Sequence, residues 1–409
     1  MKLQQIIEMG KINSLIYLEN YVNQGSPSGF SKQNVALGEF AAGSLHPMEV
    51  ILIKPNLPVM EYSNQSKLVT SNIGPGILAI HPLVADTLTD NEKITEFEVL
   101  SKVNAFVTAS GRTVLAQIDS DFSFIKLHFP GILGRVYRHL PLRKAIAGVE
   151  ISNIVVEYIK KGYIKGIGIL PEIKCCGVIR KGLDDSISFI ERATTIVKNS
   201  DLDNSSFLIP GFSFFSQDIR NPQDKLLIQQ ICDEFQIIRP VDFYERIIYP
   251  LLVGYFTLTF KYGLMPEINA QNILYAVDFD KQSIYPVLRD MGRVEKLLYI
   301  NSDLEALLSC PYKTIYEDQD DYAYKRHSFS FDFKLTQYVL EPIVDAFCKM
   351  NQYFDITTKE KIYKYASETI DTFTNARLWL PKSRKVVGHP KMLLIKERPY
   401  IEVGNPLIQ

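Results

Sequence analysis

Polar and charged side chains crowd both ends of an apolar stretch between residues 266 and 290. The sequence PEINAQNILYAVDFDKQSIYPVLRD contains two runs of branched and aromatic residues separated by DKQS, a pattern that predicts a β-hairpin. Antiparallel pairing about this turn places Asn272 beside Asp290, with Glu267 nearby. Mg²⁺ is usually bound through one or two carboxylates together with waters and substrate phosphates. The sequence therefore predicts Glu267, Asn272 and Asp290 as magnesium ligands.

A second predicted hairpin brings cations together. TVLAQI and FSFIKLHF flank a turn at 119–121, and pairing about residue 120 sets Thr113 close to Lys126, so that Arg112 approaches Lys126 as well. Arg138 follows in GRVYRHLPLRK, which would place it beside Arg135 on one face if that stretch is helical.

Arg112, Lys126 and Arg138 are here called the phosphate clamp. A single Lys or Arg on an amphipathic strand usually extends into water, but three converging cations favour a polyphosphate, which Arg binds with a planar fork and Lys as a point charge. The sequence contains no Gly-x-x-x-x-Gly-Lys-Ser/Thr loop, and Gly166 and Gly168 are followed by Pro171 where a dinucleotide-binding motif needs Gly.

These residues resemble the NRPS-independent siderophore (NIS) synthetases of the IucA/IucC type, and the resemblance covers nearly the whole chain. The family carries Ser-x-Arg-Thr, a strand Lys and an Arg twelve residues later, followed by Glu-x-His-x-Gln-Asn, a hairpin and Arg-Asp. The matching positions here are Ser110, Arg112, Thr113, Lys126, Arg138, Glu267, Asn269, Gln271, Asn272, Arg289 and Asp290.

The resemblance implies a cupped, hand-like α+β fold and an ATP- and Mg²⁺-dependent ligase. In such an enzyme a carboxylate attacks the α-phosphate of ATP and releases pyrophosphate, and an amine or alcohol then takes the acyl group from the acyl-adenylate and releases AMP. The residues that it implies for catalysis are Arg112, Lys126, Asn269 and Gln271, and those that it implies for ATP are Ser110, Arg112, Thr113, Lys126, Arg138, Gln271 and Asn272.

Three departures from the family concern the carboxylic substrate. Asn269 stands where the family has His, Gly134 stands where it has Thr, and the family is usually longer at its N-terminal domain. Asn cannot take up a proton as His can. We therefore expect an acid other than citrate, bound through Asn269 and by Arg326 or Lys391 in place of the lost contacts.

Composition limits the remaining classes. The length of 409 residues predicts two domains or one elaborate domain, and SQDIRNPQD gives a boundary near residue 220. With the hand-like fold that the resemblance implies, the predicted domains are a fingers-like α+β domain over 1–220 and a palm-like, mainly helical domain over 221–409. With 45 basic and 46 acidic residues there is no general attraction for nucleic acid or membranes. The five cysteines lack metal-ligand spacing and the first residues lack a signal-peptide pattern, which predicts a cytoplasmic protein.

Two further functions stay open beside the ligase. One is a nucleotide-binding homologue with a regulatory role, and the other is a phosphotransferase that releases ADP, because an Asn and an Asp at a hairpin also resemble kinase metal ligands. The nucleotide product separates these functions. The oligomeric state also stays open, with a homodimer as one possible assembly.

Overall fold

Strands and helices are interleaved along the chain, and most of the strands pair antiparallel. The computed structural model describes residues 2–23, 47–64, 68–85, 97–129, 131–133, 136–179, 186–199, 201–309, 314–315, 320–349, 356–373, 376–387 and 400–407. The predicted α+β fold class is confirmed, and the cupped arrangement of domains stays a prediction.

The largest sheet within the described residues is antiparallel and has eight strands in the order β2-β10-β11-β6-β5-β4-β1-β3. These strands are β1 (Met48–Pro55), β2 (Val59–Ser63), β3 (Leu78–Ile80), β4 (Phe97–Val107), β5 (Thr113–Ile118), β6 (Asp121–Leu127), β10 (Glu172–Ile179) and β11 (Ser186–Arg192).

A second sheet of six strands, in the order β13-β12-β9-β17-β16-β14, is antiparallel except where β9 pairs with β17. Its strands are β9 (Gly168–Ile169), β12 (Ile196–Lys198), β13 (Asp201–Asp203), β14 (Phe207–Pro210), β16 (Ile273–Asp278) and β17 (Ser283–Leu288). This sheet takes strands from both sides of residue 220, and the division into two domains there stays a prediction.

Short strands complete the β-structure. They are β7 (Ile132–Leu133), β8 (Val136–Tyr137), β15 (Leu264–Met265), β18 (Glu295–Leu297), β19 (Thr314–Ile315), β20 (Ser383–Val387) and β21 (Tyr400–Gly404). Because β7 and β8 pair as a hairpin, the condition of a helix around Arg138 is not met; the chain becomes helical only from Leu142, directly after Pro141, whose fixed φ is compatible with a helix start.

The helices are concentrated in the second half of the chain, apart from two that are long and lie earlier. They are α1 (Leu3–Tyr21), α2 (Leu142–Lys160), α3 (Leu227–Glu234), α4 (Pro240–Phe243), α5 (Tyr249–Phe256), α6 (Leu304–Leu307), α7 (Asp320–Ser328), α8 (Glu341–Cys348) and α9 (Ile356–Asp371). Segments of π-helix at Tyr244–Ile248, Thr257–Lys261 and Phe329–Leu340 join several of them.

The apolar stretch at 247–260 is helical and mostly buried, as its composition predicts. It packs in the main hydrophobic core together with α1, α2 and the hairpin of β16 and β17. Within the described part of the chain, no helix is both long enough and apolar enough to cross a bilayer.

Both predicted hairpins form. Thr113 pairs with Lys126 as predicted, about a two-residue turn in which Asp119 adopts a left-handed conformation with φ 53°. In the second hairpin Ile273 pairs with Leu288, so the residue opposite Asn272 is Arg289, whose N–H donates to the Asn272 carbonyl over 3.0 Å. Asp290 therefore lies one residue beyond its predicted position opposite Asn272.

Candidate nucleotide site

The two hairpins, which belong to different sheets, meet at one ion pair. Lys126 lies on β6, and its ammonium contacts the carboxylate of Asp290, the second residue after β17. Asp290 adopts a left-handed conformation with φ 70°, which ends the strand and turns the chain into the short helical turn Met291–Arg293. The contact joins the phosphate clamp to a predicted magnesium ligand.

A buried network holds the residues after Asp290 in place. Arg192, at the end of β11, donates to Glu172 over 2.8 Å and lies 3.9 Å from the Asp290 carboxylate. The other Glu172 oxygen accepts the N–H of Gly292 over 3.1 Å. A Cβ on Gly292 would lie 3.2 Å from the Lys144 carbonyl oxygen, so α2 packs tightly against this turn.

Arg112 connects the Ser-Gly-Arg-Thr turn to the segment that carries Arg138. Its guanidinium donates to the carbonyls of Arg138 and His139, and only 2% of Arg112 is exposed. Within the turn, the Ser110 hydroxyl accepts the N–H of Thr113 over 2.8 Å. Local hydrogen bonds therefore bring the predicted phosphate ligands to the same end of β5 and β6.

Asn269, Gln271 and Asn272 form a compact turn before β16. The Asn269 side-chain oxygen accepts the N–H groups of Gln271 and Asn272, at 2.9 and 3.1 Å. The Asn272 amide donates to the Glu267 carbonyl over 2.9 Å, and Arg289 Nε donates to the Gln271 carbonyl over 2.8 Å. This Asn269 oxygen is thus engaged with the backbone.

Cations surround the predicted glutamate ligand. The Glu267 carboxylate lies 3.2 Å from Arg293 Nη1 and also pairs with Lys334. Arg326 donates through Nε to Glu295 over 2.9 Å. Burial lowers the pKa of Arg326, and the charge of Glu267 partly opposes this change. The structure therefore places Arg326 within electrostatic reach of Glu267, with Glu295 as its ion-pair partner.

Burial and charge shift the pKa values across this cluster. Burial alone would raise the pKa of Asp290, but the charges of Lys126, Arg192 and Arg293 hold it well below its usual value. Burial lowers the pKa of Lys126 to about 8, even though Asp290 opposes the change. A carboxylate with so many cationic neighbours stays ionised at neutral pH.

Lys144 is a further titratable amine at this site. It is mostly buried in the first turn of α2, where burial and the charges of Arg293, Lys126 and Arg112 lower its pKa to about 6. Arg138 lies in the same field, because burial and Arg293 lower its pKa while Asp290 and Glu267 raise it. A bound anion would raise the pKa of Lys144 and so favour its protonated form.

The magnesium prediction has no confirmation in the geometry. Among the side chains that the structure describes, no group of three or more His, Cys, Asp or Glu residues could hold a metal ion. Asp290 and Glu267 lie close enough to influence each other's titration, yet each is paired with Lys or Arg.

The structure brings Ser110, Arg112, Thr113 and Lys126 to one end of the first hairpin, and Asp290 joins them through Lys126. Gly134, Arg135 and Lys391 lie outside the described residues. Sequence reasoning did not assign four titratable residues that complete the cluster, namely the buried Lys144, Glu172 and Arg192 and the partly exposed Arg293. The charged residues that end an apolar strand, as in SISFIER, indicate such buried charges only weakly. A charged pair at that position is equally compatible with a solvent-exposed strand end.

This fold is that of known siderophore synthetases. Aerobactin synthetase IucA from a hypervirulent pathotype of Klebsiella pneumoniae matches with a TM-score of 0.67 and 13% identity over 99% of this chain and 80% of that chain. The ATP-bound form of IucA matches with a TM-score of 0.70 and 14% identity over the same shares, 99% and 80%.

The petrobactin biosynthesis protein AsbB from Bacillus anthracis str. Sterne matches with a TM-score of 0.66 and 12% identity, over 91% of this chain and 70% of that chain. No family model and no curated protein matches the sequence. The resemblance to NIS synthetases is therefore confirmed as a likeness of fold.

Proposed function

We propose that this protein is an ATP-dependent ligase that adenylates a carboxylic acid and condenses it with an amine or alcohol, in the synthesis of a siderophore or related metabolite. The observation that carries the proposal is the meeting of the Lys126 and Asp290 hairpins inside a cluster of buried cations. The ATP-bound IucA structure, which shares this fold, supports ATP as the anion. We also propose the cupped arrangement of two domains that divide near residue 220.

The phosphate clamp has the charge that phosphoryl transfer needs. Negative charge on the α-phosphoryl group is stabilised by preorganised cations, and the protein supplies little covalent chemistry. Arg112 and Lys126 are buried, so their charges act in a medium that screens them less than water does. We assign Arg112, Lys126 and Arg138 to the triphosphate, with Ser110, Thr113 and Gln271 beside it.

We propose that Mg²⁺ binds at the Asp290 end of the site. We assign it to Asp290, Glu267 and Asn272, since hard oxygen ligands suit this ion and it is usually bound together with substrate phosphates. When bound, Mg²⁺ would neutralise part of the phosphate charge. Until then Lys126, Arg293 and Lys334 neutralise these carboxylates.

The acid would lie near Asn269, with Arg326 and Lys391 as candidate cations. The Asn269 oxygen accepts two backbone N–H groups, and Arg326 is paired with Glu295. Burying a carboxylate without a partner has a free-energy cost of roughly several kcal/mol. We therefore propose an acid with fewer carboxylates than citrate, and an amine or alcohol as the acceptor.

A pyrophosphate-release screen tests this function. Purified protein is incubated with ATP, Mg²⁺, hydroxylamine as a surrogate amine, and one carboxylic acid at a time, and both pyrophosphate and hydroxamate are measured. We expect both products with at least one mono- or dicarboxylic acid. If every acid fails while calorimetry shows ATP binding, the non-catalytic nucleotide-binding function replaces the ligase.

A further inference from the structure

Helix α1 reaches into the nucleotide site through one buried carboxylate. Glu19 lies in the last turn of α1, and only 1% of it is exposed. One of its oxygens accepts the N–H of Ala109 over 2.9 Å, directly before Ser110. The other lies 2.7 Å from Arg289 Nη1, directly before Asp290.

The partners of Glu19 belong to the two halves of the site. Arg289 also donates through Nε to the Gln271 carbonyl over 2.8 Å and through its N–H to the Asn272 carbonyl over 3.0 Å. The neighbouring Asn20 amide donates to the Val107 carbonyl over 3.0 Å. Helix α1 therefore makes two hydrogen bonds to the segment before the Ser110 turn, at Val107 and at Ala109. Glu19 thus contacts Ala109, directly before the turn at 110–113, and Arg289, which donates to the loop at 271–272.

Stability alone is a weak reason for such a pair. Desolvation of two buried charges offsets much of their attraction, and replacing a buried ion pair by apolar groups is often neutral or stabilising. The contacts of this pair do set distances, because one Glu19 oxygen accepts the Ala109 N–H and the other lies 2.7 Å from Arg289, whose Nε donates to the Gln271 carbonyl. A fixed separation matters at a phosphate site, where a displacement of about 1 Å can reduce activity by roughly 100-fold.

We propose that Glu19 is a positioning residue of the nucleotide site: its carboxylate holds the Ser110–Thr113 turn and the Gln271–Asn272 loop at the separation that ATP requires, through Ala109 and Arg289. This inference rests on the proposed function, because it assigns the two halves to one nucleotide. Glu19 itself does not contact ATP in this arrangement.

The test compares ATP affinity of the full chain in wild type, Glu19→Gln and Glu19→Asp by calorimetry. Glu19→Gln removes the charge, whereas Glu19→Asp keeps the charge and shortens the side chain. Both should weaken ATP binding by roughly tenfold or more. In turnover with the acid found by the screen, KM for ATP should rise while KM for the acid stays the same, which a general loss of stability would not produce.

Glu61→Gln is the matched control. Glu61 is also paired with a buried lysine, Lys174, over 3.1 Å, and it accepts the N–H of Gly76, at the β2 edge of the large sheet. This variant should bind ATP within about twofold of wild type, since it loses a comparable ion pair elsewhere.

If Glu19→Gln does not fold, Glu19→Asp decides, and its hydrogen exchange adds a second readout. We expect faster exchange both in peptides around Ser110 and in peptides around Gln271, together with weaker ATP binding. Wild-type affinity in a folded Glu19 variant would overturn this inference alone. Absence of ATP binding by the wild type would instead overturn the proposed function, and this inference with it.

Discussion

The Lys126 ammonium is ion-paired with the Asp290 carboxylate, although 164 residues separate the two in the chain. Lys126 comes from the eight-stranded sheet and Asp290 follows a strand of the six-stranded sheet. This pair therefore marks the place where the phosphate clamp and the predicted magnesium ligands meet.

Asp290→Asn should reduce nucleotide-dependent activity by roughly 100-fold, the order of loss expected when a group that orients a metal is removed. The fold should persist, because Asn tolerates the left-handed conformation that Asp290 adopts with φ 70°. Turnover and thermal unfolding are measured on the same preparations. Asp345→Asn, which removes a carboxylate paired with Lys359 on the helical side, is the control. Full activity in Asp290→Asn would contradict the assignment.

Arg112→Ala should weaken ATP binding roughly 10- to 100-fold, and Thr113→Ala by no more than about tenfold, because hydrogen bonds to charged groups contribute more than neutral ones. Arg112→Lys should fall between wild type and Arg112→Ala, since it keeps the charge but loses the planar fork. Calorimetric titration with ATP measures all three. Equal losses in Arg112→Ala and Thr113→Ala would count against the phosphate clamp.

ATP binding should be coupled to proton uptake through Lys144. The pKa of Lys144 is lowered to about 6, so the amine is mostly neutral at about pH 8, and a bound triphosphate raises this pKa and favours the ammonium form. ATP affinity should therefore fall as the pH rises above the pKa of the free protein.

Calorimetry near pH 8 in buffers of different ionisation enthalpy gives the number of protons taken up. Lys144→Met should reduce the uptake by about one proton and weaken ATP binding. An unchanged proton count in a variant that still binds ATP would show that Lys144 does not face the triphosphate.

Citrate should be a poorer substrate than a mono- or dicarboxylic acid. Asn269 supplies no titratable group, and its side-chain oxygen is engaged with two backbone N–H groups. Asn269→His restores the family residue and should improve the relative kcat/KM for citrate. Competitive hydroxamate formation from citrate and a smaller acid measures this ratio, and a wild type that prefers citrate would contradict the prediction.

The local features of the site could be predicted from the sequence because short hairpins set their own register. The turn at Asp119 and the alternation of TVLAQI and FSFIKL fix Thr113 opposite Lys126, and the structure has that pairing. The hairpin after Asn272 was predicted as well, but its turn lies so that Arg289 faces Asn272. A small change in the turn thus moves a predicted ligand out of the ladder.

The buried charges could not be predicted, because their partners lie far apart in the chain. Glu172 contacts Arg192 and Gly292, and Lys144 gains its neighbours only when α2 packs on the turn after Asp290. Glu19 in α1 looks like an ordinary helix residue until Ala109 and Arg289 reach it. No spacing within the sequence encodes these contacts.

Whether the stretch around Arg138 is helical could not be decided from the sequence for a similar reason. The two arginines at 135 and 138 have helical spacing, but the residues around them pair as β7 and β8 and the helix begins only after Pro141. In a stretch this short, tertiary pairing outweighs the spacing of a few side chains.

The nucleotide product tests adenylation most directly. ATP, Mg²⁺, hydroxylamine and the best acid from the screen are incubated with wild-type protein and with Asp290→Asn, and the nucleotides are separated by chromatography. We predict AMP and pyrophosphate in equal amounts from the wild type, in step with hydroxamate, and neither product above background from Asp290→Asn. ADP and phosphate as the wild-type products would contradict adenylation and identify a phosphotransferase.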